Sequence, residues 1–199
     1  MKKPAITQAP IHELLANRWS GRAYDAARPI ERTHLISLLE AARWAPSCYG
    51  DQPWRFVLWN KANDAAGWQL AFEHLAPANQ AWGRDAPLLL LVAANTLFQH
   101  NGQPNLHAQY DTGAAAENLC LQAEALGMMA HQVGGFDAEG LRVAAGVPAQ
   151  FAVMAMIAVG YPADPATHSA EVSARENAVR KRRELGELFF EGVWARPIA

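Results

Sequence analysis

Three observations in the 199-residue sequence predict an α+β fold, with helices packed on a central sheet. Apolar residues make up 51% of the chain and charged residues only 18%. Such a chain has a large surface to bury and is not a disordered one. Two runs, Leu88–Ala94 and Ala152–Val159, are apolar without interruption over the length of a strand, the pattern of strands covered on both faces. Around them apolar residues recur at helical spacing, and no internal repeat, low-complexity tract or linker divides the chain. The expectation is therefore one domain over residues 1–199 with its core at about 10–195.

Ile11–Asn17 reads as a short helix, ended by the polar run Arg18-Trp19-Ser20-Gly21-Arg22. From Glu31 to Ala45 the residues Leu35, Ile36, Leu38, Leu39, Ala42 and Trp44 follow helical periodicity, and Pro46 stops it. After a loop at Ser47–Pro53, the aromatic and β-branched stretch Trp54–Trp59 is a strand, and Asp64–Leu75 returns to helical composition. His107–Ala130 is long, Ala-rich and nearly uncharged, which predicts a central helix buried almost all round, against the core or a second copy. Asp137–Ala145 is a further short helix. The charged stretch Glu171–Arg183 precedes an apolar tail, Leu185–Trp194, that must dock on its own domain or a neighbour's.

Seventeen basic against nineteen acidic residues give a net charge of -2 and no electrostatic footprint for nucleic acid or an anionic membrane. The basic start Met1-Lys2-Lys3-Pro4 has no apolar h-region behind it, and no apolar run approaches the roughly 20 residues of a membrane helix. A cytoplasmic protein is expected. Two cysteines, Cys48 and Cys120, make no disulfide framework and no zinc spacing. Phosphate-loop, GxGxxG, HExxH and GxSxG patterns are absent, and the seven histidines are scattered. No metal site and no catalytic side chain is expected; a bound cofactor is the expected carrier of any chemistry.

Three segments have a composition that points to chemistry. Arg18-Trp19-Ser20-Gly21-Arg22 sets two guanidinium groups and a hydroxyl on a turn, which suits phosphate, although a solvated helix end looks the same. In Ala45-Pro46-Ser47-Cys48-Tyr49-Gly50-Asp51-Gln52-Pro53-Trp54-Arg55-Phe56 two prolines fix a loop that displays polar groups, or simply a rigid connection. Gln132-Val133-Gly134-Gly135-Phe136-Asp137 lets backbone N–H groups approach a ligand, or ends a helix. Arg180-Lys181-Arg182-Arg183 adds cation near the end, a run that is also ordinary on a solvated face.

In this order, from Ile11 to Trp194, these segments resemble the FMN-dependent nitroreductase family, with Gln-Pro-Trp-Arg-Phe the most specific element. The resemblance implies a mixed central sheet flanked by helices in an entwined homodimer, with FMN at the interface and NAD(P)H as co-substrate. By it, Arg18 and Ser20 hold the FMN phosphate with Trp19 alongside, Arg22 reaches the pyrimidine edge, and Arg180 and Arg182 complete the clamp. Pro46, Ser47 and Cys48 pack beside the ring from the partner subunit, Gln52 lies near the ribityl or ring edge, and Gly134 and Gly135 line the ring. Where many relatives have Asn, this chain has Gly50, followed by Asp51, so one side-chain amide contact is lost. Asn95–Tyr110, with Phe98, His100, Asn101, His107 and Tyr110, is the expected wall over the flavin or an ordinary surface loop.

The implied activity is ping-pong reduction of nitroaromatics, quinones or other flat acceptors. The physics agrees: a dianionic phosphate suits several arginines, and a cation near the flavin's reduced edge stabilises the charge gained there. The alternatives are a flavin-binding store or redox sensor without turnover, and a superfamily relative that dehalogenates or fragments flavin. Cys48 reads as a small residue packed at ring or interface, or as a redox thiol.

Overall fold

The computed structural model describes residues 3–198; Met1 and Lys2 of the basic start lie outside them. The elements in chain order are α1 (Glu13–Asn17), α2 (Arg32–Arg43), β1 (Trp54–Asn60), α3 (Ala65–Glu73), α4 (Pro77–Gly83), β2 (Leu88–Asn95), α5 (Ala108–Ala125), β3 (Met129–Val133), α6 (Ala138–Ala144), β4 (Phe151–Gly160), α7 (Ala170–Asn177) and α8 (Leu185–Leu188). The α+β expectation holds.

The strands lie in the order β1-β2-β4-β3, and all three pairings within this chain are antiparallel. Leu88, Leu90 and Val92 of β2, with Ile157 and Val159 of β4, pack against Leu35 and Leu38 of α2 and Ala115, Leu119 and Ala123 of α5. The alternate residues Leu89, Leu91, Met156 and Ala158 pack on the opposite side with Trp68 of α3, Trp82 of α4 and Leu141 of α6. Helices therefore cover both faces, which is why β2 and the second half of β4 are apolar throughout. Continuous apolarity reports two-sided burial rather than strand direction. Each such leucine contributes about 1.5–3 kcal/mol of transfer free energy, so a charge at the fully buried Leu90 would open the sheet.

The predicted helix from Asp64 to Leu75 begins as expected, with Asp64 Oδ1 accepting the Gly67 N–H at 2.8 Å. It ends at Glu73, and α4, not anticipated, starts afresh with Pro77 in its first turn, where the missing N–H costs nothing. The central helix also ends early. Gly127 takes φ +70° and the Met128 N–H bonds the Ala123 carbonyl at 2.8 Å, a Schellman closure after Ala125. Met129 and Ala130, expected to be helical, instead open β3, which completes the sheet edge. Within this one chain, burial on α5 is one-sided: Ala108, Asp111, Thr112, Ala115, Ala116, Leu119, Cys120 and Ala123 are buried, whereas Tyr110 is 81% exposed.

The apolar tail folds on itself, with Phe190 and Trp194 rings 5.0 Å apart and Ile198 N–H bonded to the Phe189 carbonyl at 3.1 Å. It still leaves Phe189, Val193 and Trp194 exposed. Among the described residues no helix is long and apolar enough to cross a membrane.

Candidate functional site

The turn after α1 is held from four sides. Gly21 lies so close to β3 that a Cβ there would collide with Met129 Sδ, and its carbonyl accepts a hydrogen bond from His131 Nδ1 at 3.1 Å. A carbonyl only accepts, so Nδ1 carries the proton. Burial drives the His131 pKa down to about 4, with Arg22 and Arg18 pushing the same way against the bond to Gly21. The neutral ring stacks on Trp82, centroids 4.5 Å apart. Arg22 N–H donates to Glu176 Oε1 at 2.7 Å, and Glu176, on α7, is itself buried, which raises its pKa. The Arg22 guanidinium lies 5.9 Å from the Trp82 ring centre.

Arg18 Nε sits 3.2 Å from Glu117 Oε1 on α5, and the other Glu117 oxygen accepts from Gln132 Nε2 at 3.1 Å. Glu117 thereby ties the turn to the end of β3, two residues before Gly134. Arg180 donates to the carbonyls of Lys3 (2.7 Å), Ala16 (2.7 Å) and Arg18 (3.0 Å), so its guanidinium braces the turn's backbone. Burial lowers its pKa first, and the charges of Arg18 and Arg182 lower it further, which places three cations together. Arg182 is exposed and bonds the Lys181 carbonyl. Lys3 Nζ lies 4.3 Å over the Trp19 ring. Ser20 is half-buried and its hydroxyl has no partner among the described residues.

Gly134 and Gly135 follow directly on β3. The Gly135 carbonyl takes the Ala76 N–H at 3.0 Å and Asn79 Nδ2 at 2.8 Å. Both glycines are exposed, and among the described residues neither N–H finds an acceptor. Glu117 and Gln132 link the turn to the strand that leads into these glycines, and Arg180 closes on the turn's backbone.

The second group is elsewhere. Ser47 Oγ accepts the Gln52 N–H at 3.0 Å, and the Cys48 N–H donates to Asp111 Oδ2 at 2.9 Å, at the start of α5. Asp111 precedes Glu117 by six residues, about 9 Å along the helix and about 240° round it. Pro46 and Gln52 are exposed, and Ser47 and Cys48 half-buried. Tyr49 (φ 56°), Gly50 (φ 65°) and Gln52 (φ 48°) all occupy the left-handed region. Asp51 is buried, and its Oδ1 accepts the Gln99 N–H at 2.9 Å, joining the loop to the segment after β2.

The nitroreductase family profile matches residues 15–161, close to three quarters of the chain. The chain belongs to the nitroreductase family. The crystal structure of an oxidoreductase containing FMN superposes on this nitroreductase-family chain with a TM-score of 0.89 at 34% identity, covering 96% of each chain. A nitroreductase from Desulfovibrio desulfuricans in complex with FMN gives 0.71 at 27% identity, covering 94% of this chain and 99% of its own. A protein of Thermus thermophilus named NADH dehydrogenase is 27% identical over 170 residues, 68% of this chain and 79% of its own.

Sequence reasoning passed over Glu117, His131, Asn79, Glu176 and Asp111. A glutamate directly after the run Ala114-Ala115-Ala116, in a helix with few charges, was a usable signal for Glu117. Asn79 and Glu176 gave none, because their partners are backbone groups more than 50 residues away.

Proposed function

We propose that this chain is an FMN-dependent NAD(P)H oxidoreductase that reduces nitroaromatics, quinones or similar flat acceptors, and that it works as a homodimer with FMN at the interface. The observation that carries the reading is the cation cluster of Arg18, Arg180 and Arg182, tied through Glu117 and Gln132 to the strand that leads into the unpaired N–H groups of Gly134 and Gly135. FMN in the two related solved structures supports it.

The residues fit that cofactor. Arg18 and Arg182 have guanidinium nitrogens left to grip a phosphate, and Ser20 has a free hydroxyl. Arg180, whose guanidinium is engaged by three carbonyls, holds the turn in shape for them. The Gly134 and Gly135 N–H groups offer donors with no side chain in the way, and nothing lies within 4 Å of where a Gly134 Cβ would point. His131 stays neutral at pH 7, so the positive charge of the turn remains on Arg18 and Arg22. When bound, FMN would supply two-electron chemistry between NAD(P)H and the acceptor, and it needs no side-chain acid or nucleophile.

The homodimer explains why the two halves of the site lie apart on α5. Loop Pro46–Gln52 would meet the Arg18 turn of a second copy, and the exposed tail at Phe189, Val193 and Trp194 would be covered by that copy. The visible spectrum of the purified protein, taken without air before and after NADH or NADPH, tests the reading. A flavin spectrum that bleaches is the expected result, and a protein that stays colourless after added FMN overturns it. The Gly50 departure favours one second reading, a flavin store without turnover; steady NAD(P)H oxidation with an added quinone dismisses it.

A further inference from the structure

We propose that the groove between residues 48–52 and the segment after β2 is a recognition subsite for flat aromatic acceptors bearing a carboxylate, with Tyr49 as stacking surface and Arg55 as anion reader. The inference rests on the oxidoreductase reading above, since this loop is the one assigned to the flavin's side.

Tyr49 is held out against its own backbone preference. A bulky residue at φ 56° sits in the left-handed region, where its Cβ crowds the following carbonyl oxygen. It is kept there by a set of local bonds: Gly50 N–H to the Ser47 carbonyl (3.0 Å), Asp51 N–H to the Cys48 carbonyl (3.1 Å) and Cys48 N–H to Asp111 Oδ2 (2.9 Å). From the other side Gln99 clamps Asp51 twice, N–H to Oδ1 and Nε2 to the carbonyl. The Asp51 side chain is only 3% exposed, and its Oδ2 is buried with no partner, a further cost in desolvation. A surface loop that keeps both costs is held in shape by its surroundings, and strain so maintained points to use.

What the strain displays is an aromatic face. Within one copy the Tyr49 ring is 85% exposed, at the edge of the loop that would face the second copy, yet it leans on Phe98 (5.8 Å, interplanar 80°) and His100 (5.6 Å), which fix its direction by edge contact. A flat molecule stacking there meets a surface that loses little freedom on binding.

Across the groove, Arg55 Nη1 donates to the Gln52 (3.0 Å) and Trp54 (2.7 Å) carbonyls, which pins the guanidinium. Its Nε and Nη2 have no acceptor among the described residues, and no carboxylate pairs with it. Two adjacent unpaired N–H donors on a fixed planar cation are what a carboxylate binds in bidentate fashion. The one acid of the groove, Asp51, is turned inward, so the charge met by a ligand is that of Arg55. The space, about 770 Å³, is of the size that takes a small molecule.

Calorimetric titration with benzoate, against benzyl alcohol as the neutral probe, tests the subsite on the purified protein whether or not it carries flavin. Steady-state reduction of 4-nitrobenzoate against 4-nitrobenzyl alcohol tests it in turnover. The expected KM for 4-nitrobenzoate is about tenfold lower than for the alcohol. In Arg55→Gln that ratio falls to near one and benzoate binding is lost, while Arg55→Lys keeps part of both. Tyr49→Ala raises both KM values several-fold and Tyr49→Phe restores them. Equal KM values in the wild type, or benzoate binding unchanged in Arg55→Gln, overturns the subsite. A colourless protein that nevertheless binds benzoate through Arg55 keeps the subsite and removes the flavin reading.

Discussion

The Arg18–Arg22 turn and the Ser47–Gln52 loop carry comparable shares of the proposed chemistry, yet they are held by opposite means. The turn is wedged from within: a glycine against Met129, a neutral buried histidine, a buried glutamate and an arginine donating to three carbonyls. The loop is pinned from its edges by two aspartates and a glutamine, on a backbone with three left-handed residues, and it turns Tyr49 and Gln52 outward. The turn spends burial to place fixed charge. The loop accepts strain to present a face. A phosphate needs the first kind of support and a changing guest the second.

The largest test of this contrast is acid. The His131 pKa of about 4 lies below its unfolded value near 6.5, so the native state binds fewer protons and stability falls as pH drops from about 6.5 to 4. The loss is roughly 3 kcal/mol at full protonation, read as a falling urea midpoint, and His131→Phe should flatten that slope. Next, Arg180→Ala removes three hydrogen bonds, leaving the Lys3 and Arg18 carbonyls without a donor while Ala16 keeps the Ala5 N–H, and should cost about 3 kcal/mol, lowering Tm by roughly 6–12 °C, with flavin content falling in step. Gly21→Ala should cost about 1–2 kcal/mol, since the Met129 thioether can partly give way, and a Tm unchanged from wild type would show that the wedge is loose.

In the loop the effects should be smaller and of mixed sign. Gln52→Gly relieves a left-handed side chain but gains unfolded-state entropy, so its unfolding free energy from urea titration should stay within about 1 kcal/mol of wild type. Gly50→Asn should change stability by a few tenths of a kcal/mol, because Asn tolerates φ 65° and its Cβ meets open space. Equilibrium dialysis of FMN should then show tighter retention if the family amide is what Gly50 lost. Loop variants that unfold the protein as Arg180→Ala does would erase the contrast.

The sequence carried most of the layering, because strands covered on two faces must be apolar throughout and helices between them must be periodic. It misplaced the end of α5. Gly127 reads equally as a flaw inside a helix or as the residue closing one, and only the Met128 bond to Ala123 tells them apart. It missed α4, whose polar residues Asn79 and Gln80 bond backbone on other segments rather than following an amphipathic pattern. In the site, the arginines, the hydroxyl and the paired glycines were legible as residue types. The role of Arg180 was not, since a cation that braces carbonyls and one that grips phosphate look alike in a string.

What the sequence by itself determined is the set of local choices: which residues are apolar, where proline and glycine stop an element, and which short motifs resemble the nitroreductase family. Each depends on neighbours within a turn or two. Tertiary structure alone decided that Glu117 joins Arg18 to β3, that Glu176 holds the Arg22 backbone from 154 residues away, and that His131 is neutral. Burial and long-range hydrogen bonds set those facts, and neither exists until the chain has closed on itself.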